Sequence, residues 1–517
     1  MPEMPLTQLE NNMGYATVEA ASIEGVEAQL VRVETHVAAG GLPQIKIVGL
    51  GDVAVHESKE RVCSALKSLG FKIPATRITV NLAPALMKKH GSGLDLAIAL
   101  SIASASGQID AKKLDQKIFV GELSLAGEVR LSSELVAAAA LARQQKKILV
   151  AHNASEACRL THGPFIEINS LRDVCKEDFS GLLNKQISPD RDAKKPDHED
   201  NALDFSDVVG HETAIRALQI AACGRHNILL LGPPGSGKTM LASRLPSIMP
   251  KLTEAEMLET ALIHAASTQQ SSHYHMGQIP FRTPHHSSTI TGLIGGGNPI
   301  VPGEVSYAHN GVLFLDELAQ FAPSVLQAIR TPMQDGHVVI VRSHMQVEFL
   351  SRFLLVAASN PCPCGYYGSS EVACTCSNAT LKAYQNRVGG PLLDRFDMVC
   401  WITKTQPQRF LSKKQSSISS ETLRAGIDHA IKFRKAHKLD YGSLLNKELL
   451  ASGEMLSDAA REILLQESLK ENLSTRAMVK ILRVARTCAD LSQSYVIEDI
   501  HMCEALHYRC DWRALHG

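Results

Sequence analysis

Apolar and polar residues alternate along Ala28–Ala39 and again along Pro43–Val48, the period-two pattern of half-buried strands. Val55, Val62, Ala65 and Leu66 then recur at roughly helical spacing within Val53–Leu69, and Gly70 stops that run. Arg77–Leu82 predicts another strand and Leu94–Ala105 an apolar helix inside a domain, and Lys117–Gly121 follows. Leu123–Val129 leads into the alanine-rich helix Glu134–Gln145. Strands and helices mixed in this way predict an α+β domain over residues 14–187.

The pattern then breaks. Ser188–Asp204, SPDRDAKKPDHEDNALD, is charged, carries proline and has almost no large apolar residue. Such a segment cannot bury enough surface to fold alone, so residues 188–204 read as a linker. Over 205–405, short apolar runs alternate with helical stretches, the signature of an α/β domain on a parallel sheet. The last part, 420–517, is helical. Thr422–His437, Ser457–Glu471 and Ser474–Ser492 are amphipathic, Val496–Tyr508 follows, and Ser457 and Ser474 stand where N-caps belong. There is no fixed-period repeat.

A chain of 517 residues is too long for one core, which agrees with several domains. Apolar residues at 44% and charged residues at 21% are ordinary for a globular protein. Lys+Arg and Asp+Glu are both 53, so a nucleic-acid partner cannot be argued from net charge and any basic surface must be local. No apolar run approaches the ~20 residues of a membrane span. The start, MPEMPLTQLENNMGY, lacks the basic-then-apolar order of a secretory signal. Twelve cysteines are scattered except for Cys362, Cys364, Cys374 and Cys376, a usage that suits a reducing compartment. These features predict a cytoplasmic protein.

The strongest chemical signal lies early in the α/β part. The apolar run Asn227–Leu231 enters Gly232-Pro233-Pro234-Gly235-Ser236-Gly237-Lys238-Thr239 and leaves into a helix beginning at Met240. This is strand–GxxxxGK[ST]–helix in its required context. Glycines let several backbone N–H groups converge on one phosphate, and the helix N-terminus adds partial positive charge. Lys238 bridges the terminal phosphates and the Thr239 hydroxyl ligates magnesium. A glycine-rich turn alone would not explain a second motif downstream. Gly311-Val312-Leu313-Phe314-Leu315 ends in Asp316-Glu317, two carboxylates at the carboxyl end of a strand. Asp316 would hold Mg2+, and Glu317 would orient or deprotonate the attacking water of ATP. A third strand, Phe353–Ser359, ends at Asn360, whose amide can hold that water; alone it would read as a turn-former.

In this order the motifs resemble AAA+ ATPases, and more narrowly the magnesium-chelatase-like ComM (YifB) family. The resemblance runs through GLPQIKIVGL, ESKERVCSALKSLGF, RITVNLAPA and GSGLDLAIAL near the start. It continues in RTPHHSSTITGLIGGG, PGEVSYAHNGVLFLDEL, SNPCPCGYYG, GPLLDRFD and STRAMVKILRVARTCADL, covering most of residues 20–510. It implies that Arg395, in GPLLDRFD, is an arginine finger reaching a neighbour's ATP, where a lone Arg would read as a surface ion-pairer. It also implies that Arg476 is the sensor arginine of a helical lid, contacting the γ-phosphate of its own subunit. Both roles imply a ring, a hexamer. Relatives carry a Glu within the stretch that here reads Arg330-Thr331-Pro332-Met333-Gln334-Asp335-Gly336, and favour Met where Ser359 stands. Neither departure removes a catalytic group.

The N-terminal domain resembles the Lon protease fold through GELSLAGEVRLSSEL. The place of Lon's catalytic lysine falls at about Val136, and the nucleophile segment reads Gly91-Ser92-Gly93-Leu94. Ser92 without a lysine base reads as a turn residue, so an inactive protease fold is expected.

Two readings stand for the cysteine cluster. Two C-x-C pairs put four thiols within reach of one tetrahedral zinc; the other reading is buried, idle cysteines. The adjacent His285 and His286 are expected to point apart as polar loop residues. Two insertions, Arg282–Asn298 and the predicted hairpin Gly336–Arg352 with Arg342-Ser343-His344 at its tip, correspond to channel-lining segments of MCM-like relatives. Arg342 and Arg282 are the candidate DNA contacts; surface loops are the plainer reading. The resemblance implies an ATP-driven hexameric translocase acting on single-stranded and branched DNA in recombination during natural transformation. The alternative is a chelatase-type or chaperone-type ATPase that remodels a protein.

Overall fold

The computed structural model describes residues 14–176 apart from Leu86, Phe179, Leu183, 203–266, 277–342, 345–368, 372–404, 418–437 and 455–509. Linker residues 188–202 and the expected hairpin tip, Ser343 and His344, lie outside the described residues. The described chain gathers into two compact units, one of residues 14–183 with 253–266, the other of 203–252 with 277–509.

The first unit carries strands β1 (Tyr15–Glu24), β2 (Glu27–Val37), β3 (Gln44–Val48), β4 (Arg77–Ala83), β5 (Lys117–Phe119), β6 (Glu122–Leu123), β7 (Val129–Arg130), β8 (Ile148–Ala151) and β9 (Phe165–Glu167). Seven form one sheet in the order β3-β4-β2-β1-β5-β8-β9, and β6 pairs only with β7. β1, β2 and β4 run antiparallel to their partners within that trio, whereas the remaining pairings of the sheet are parallel. Alternation along the strands sends side chains to both faces. Val18, Ala20, Val31 and Val33 pack with helices Val53–Ser68 and Asp95–Ala105. Ala21, Ile118, Leu149 and Ala151 pack with helices Leu135–Gln144 and Ala154–Thr161. Burial on all sides is why Asp95–Ala105 is apolar all round. Its one acid, Asp95, is fully buried and paired with Arg61 at 2.6 Å, tying that helix to Val53–Ser68.

The helix Glu254–Ala265 falls in sequence within the expected α/β domain, yet it belongs to this first unit, beside Leu135–Gln144 and Ala154–Thr161. Thr253 caps it in a capping box with Glu256. The expected domain 205–405 is therefore interrupted.

The second unit adds β10 (Ile228–Leu231), β11 (Phe281–Arg282), β12 (Gly295–Gly296), β13 (Val301–Pro302), β14 (Val312–Leu315), β15 (His337–Arg342), β16 (Met345–Leu350), β17 (Leu354–Ser359) and β18 (Met398–Trp401). Its central sheet is parallel throughout, in the order β11-β14-β17-β10-β18. Parallel strands covered on both faces read as continuous apolar runs, which explains NILLL and VLFL. Leu229, Leu231, Leu313 and Leu315 face helix Pro323–Asp335 through Val325, Leu326 and Ile329. Ile228, Leu230, Val356 and Ala358 face helix Glu212–Gly224 and the C-terminal helices through Leu482, Ala485 and Met502. The expected lid therefore shares one core with the sheet. Two of its helices start as predicted, with Ser457 accepting from Ala460 N–H and Ser474 from Ala477 N–H, whereas the first starts at Ser420 and the last at Asp499.

Candidate active site

All five central strands are parallel, so their carboxyl ends share one edge. Gly232–Thr239 follows β10 there, Asp316–Glu317 follows β14, and Asn360 follows β17. Three motifs far apart in sequence thus meet by topology. Gly237 takes φ +82° at the N-cap of helix Lys238–Ser243, a left-handed value that glycine adopts without strain. The turn folds Lys238 back over the loop: its Nζ donates to Gly232 O at 2.8 Å, Pro233 O at 2.9 Å and Asn360 Oδ1 at 3.1 Å. Burial pulls the Lys238 pKa down, against the nearby charges of Asp316 and Glu317. A half-buried ammonium whose hydrogen-bond partners are neutral oxygens is a fitting seat for a polyphosphate.

Thr239 Oγ1 donates to Asp316 Oδ2 at 2.8 Å. A hydroxyl and a carboxylate oxygen this close are the hard oxygen donors that Mg2+ takes, so the residues present fit that ion. Glu317 stands in the left-handed region, φ +53°, and its N–H donates to Asp316 Oδ1 at 2.9 Å. The turn separates the two carboxylates, and Asp316 is the one that bonds the loop threonine.

The two arginines lie elsewhere. A cavity of about 320 Å³ is lined by Asn227, Arg395, Asp397, Arg476, Lys480 and Arg483, among others. Asn227 precedes β10 and Asp397 precedes β18, so this cavity is at the amino edge of the sheet, opposite the phosphate loop. Four strand residues at ~3.3 Å each separate the two edges by about 13 Å. This placement puts Arg476, expected at the γ-phosphate of its own subunit, at the edge opposite its own phosphate loop. Helix Thr475–Leu491 packs on the face that brings Arg476 to Arg395.

Arg395 is mounted firmly. Its carbonyl accepts from Asn227 Nδ2 at 3.3 Å, Asp397 accepts from Asn227 N–H at 3.0 Å, and Lys480 donates to Phe396 O at 2.9 Å and to Asp394 O. Its guanidinium donates to Pro391 O at 2.9 Å and Gln334 Oε1 at 3.0 Å, while its Nε is buried without a partner among the described residues. Burial lowers its pKa, and the positive charges of Arg330 and Arg476 add to that. Arg330 Nε is orphaned in the same way, and both arginines line a second cavity of about 350 Å³ with Gln327, Thr331, Gln334 and Asp335.

The candidate DNA contacts separate. Arg282 Nε and Nη2 each donate to Glu304 at 2.7 Å, and its guanidinium lies 5.4 Å from the Tyr307 ring. That cation ties β11 to helix Glu304–Tyr307, a structural role that its expected DNA contact would have to share. Arg342 is exposed at the end of β15, paired in register with Met345 of β16. Val338 of β15 and Val347 and Phe349 of β16 are buried, whereas Val341 is 71% exposed. His285 and His286 do not point apart: their ring centroids are 4.0 Å from each other and His286 meets the Phe321 ring edge-on.

The four cysteines converge. Cys362 Sγ lies 3.2 Å from Cys364 and 3.7 Å from Cys374, Cys364 lies 3.5 Å from Cys374, and all four sulfurs fall within 4.8 Å of one another. Four ligands at the ~2.3 Å of a zinc–thiolate bond stand about 3.8 Å apart, so the set fits a tetrahedral ion. No other such group occurs among the described residues.

The protease-like segment of the first unit has no serine–lysine pair among the described residues. Ser92 Oγ donates to Glu122, Lys89 Nζ donates to Pro84 O, and Val136 supplies no base. A Cβ at Gly93 would stand 2.7 Å from Glu134 Oε2, and burial raises the Glu134 pKa to about 7. No helix among the described residues is long and apolar enough to cross a membrane.

The family profile described as magnesium chelatase, subunit ChlI, matches residues 204–410, with further ChlI profiles over 33–154 and, for the C-terminal part, 417–509. Competence protein ComM of Haemophilus influenzae is 39% identical over 515 residues, covering 97% of this chain and 99% of that protein. The YifB protein of Escherichia coli is 39% identical over 510 residues, covering 97% and 98%. Lon protease 2 of Bacillus subtilis is 28% identical over 189 residues, 35% of this chain and 32% of the protease. With a parallel-sheet nucleotide fold, a helical C-terminus and relatives matched over nearly their whole length, the chain belongs to the ComM/YifB family of magnesium-chelatase-like AAA+ proteins.

Proposed function

We propose that this chain is an Mg2+-dependent ATPase of the cytoplasm that assembles as a hexameric ring and drives DNA through branch migration when incoming single strands recombine in natural transformation. The observation that carries the reading is the position of Arg395 and Arg476 at the sheet edge opposite Lys238 and Thr239. A single chain brings Lys238 to the phosphates but holds Arg395 and Arg476, which would neutralise charge developing during phosphoryl transfer, at the other edge of its sheet. A neighbour presenting its amino edge completes the site. Mg2+ held by Thr239 and Asp316 supplies charge neutralisation at the transferred phosphoryl group. Lys238 holds the terminal phosphates, Asn360 positions the attacking water, and Glu317 accepts its proton. Residues 14–187 are an inactive Lon-like domain, 205–405 the ATPase core apart from the helix Glu254–Ala265, and 420–517 the lid. Cys362, Cys364, Cys374 and Cys376 hold a structural zinc.

DNA as the substrate rests on the likeness to a competence protein and on the exposed Arg342 at the hairpin end. The test is ATPase and strand-exchange activity of the purified protein with single-stranded, duplex and four-way DNA. DNA-stimulated hydrolysis and resolution of the four-way junction into duplexes are expected. Hydrolysis indifferent to every DNA, with no strand product, would overturn the reading.

A further inference from the structure

Only Pro361 separates Asn360, which bonds Lys238, from Cys362, the first thiol of the cluster. The strand end just before them bonds the phosphate loop as well, Gly232 N–H donating to Ser359 O at 3.3 Å. The turn that follows the first two thiols also packs against the loop. Gly365, at φ +86°, packs so closely that a Cβ there would lie 2.5 Å from Cδ of Pro234. The turn is held at Cys362 by Gly365 N–H to its carbonyl at 3.0 Å and Tyr367 N–H to its sulfur at 3.3 Å.

Between Asn360 and the helix Asn378–Val388, the described residues form no helix or strand, and Cys362 is the only one in the hydrophobic core. A segment without core or ladder stays ordered when a metal replaces both, because binding free energy then serves as folding free energy. Cys374 and Cys376, with Cys376 N–H donating to Cys374 Sγ at 3.4 Å, bring the far end of the segment back to the same point.

We infer that the four-thiolate zinc is a strut of the nucleotide site: metal in the cluster holds Gly365 against Pro234 and Asn360 against Lys238, and its loss opens the phosphate loop. This rests on the reading above, that Gly232–Thr239 binds ATP and that the four thiols bind zinc. Two C-x-C pairs that merely stored zinc would have no reason to seat a positive-φ glycine on a phosphate-loop proline. Coupling follows because a ligand that binds only the ordered conformer loses affinity in proportion to the population of that conformer.

The experiment uses the full-length protein, its zinc content and its affinity for a fluorescent ATP analogue. Purified without chelator, it should hold one zinc per chain. Extraction with an organomercurial, followed by thiol and chelator, should weaken analogue binding about tenfold or more, and zinc but not magnesium should restore it. Gly365→Ala should keep its zinc and still bind the analogue more weakly, because it pushes on Pro234 without touching a thiol. Lys238→Ala separates the failures: if that variant binds the analogue like wild type, the nucleotide site is misassigned and the strut falls with it. If Lys238→Ala fails to bind but the zinc-free protein and Gly365→Ala bind normally, the nucleotide site stands and the strut is overturned. Protein that binds ATP and carries no zinc, or carries disulfides in the cluster, overturns it as well.

Discussion

Thr239 Oγ1 donates to Asp316 Oδ2 at 2.8 Å across 77 positions of sequence. Neither residue can hold Mg2+ well alone, since the ion takes an octahedron of oxygens and one side chain fills only a small part of it. Thr239→Ala and Asp316→Asn should therefore both weaken magnesium-dependent nucleotide binding and leave the residual metal-free binding similar. Glu317 does not bond the threonine, and Glu317→Gln should bind ATP with near wild-type affinity while turnover falls on the order of 10²–10⁴-fold. Equilibrium binding and steady-state hydrolysis on the same preparations decide it. An active Glu317→Gln protein would show that another group takes the proton.

Arg395 and Arg476 share the amino-edge cavity, so both should act on a neighbour's nucleotide. Arg395→Ala and Arg476→Ala are each expected to be inactive alone. Mixed with Lys238→Ala, each should regain part of its ATPase, because some interfaces then pair an intact phosphate loop with intact arginines. If Arg476 served its own subunit, the Arg476→Ala mixture would contain no intact site and would stay silent at every ratio. Mixed rings must be demonstrated by pull-down of a tagged partner.

Arg342 and Arg282 should behave differently from each other. Arg342→Ala is expected to leave basal ATPase and melting unchanged while weakening DNA binding. It should also flatten the salt dependence, by roughly 0.7–0.9 log units per log unit of salt for each phosphate that is no longer neutralised. Arg282→Ala should instead lower stability by about 1–3 kcal/mol, because Glu304 loses two charge-assisted hydrogen bonds in a half-buried place. Denaturation midpoints and salt-titrated binding isotherms on both variants check this. A destabilised Arg342→Ala protein, or a stable Arg282→Ala protein that loses DNA, would reverse the assignment.

His226 gives the second unit an acid-sensitive element. It is buried, with Nε2 2.7 Å from Thr487 Oγ1, and that hydroxyl donates to Arg483 O at 3.1 Å, leaving it to accept from the imidazole N–H. Burial, with Arg483 and Arg434 adding to it, lowers its pKa to about 3. The unfolded chain takes up this proton near pH 6.5, so the neutral-histidine contribution is complete above that value and is lost as pH falls toward 3. The slope is at most about 1.4 kcal/mol per pH unit. Urea midpoints measured between pH 7.5 and about 4.5 should fall less steeply for His226→Gln than for wild type. Parallel slopes would mean that His226 is protonated in the fold.

The sequence alone determined that GPPGSGKT, the Asp316-Glu317 pair and Asn360 each stand where their own strand ends, because these are local patterns. It also determined the cysteine set and the N-caps at Ser457 and Ser474, which need only short-range geometry. Tertiary structure decided what depends on which elements become neighbours. Glu254–Ala265 has the caps and spacing of any surface helix, and only packing assigns it to the first unit. β8 and β9 are too short to show a period. Arg282 and Arg342 are equally basic in sequence, and only the position of Glu304 makes one a structural cation. The same holds for Arg476: a helix can present one arginine to either edge of a parallel sheet. Which edge is set by the long-range burial of Leu482, Ala485 and Met502 against that sheet, and no residue near Arg476 encodes it.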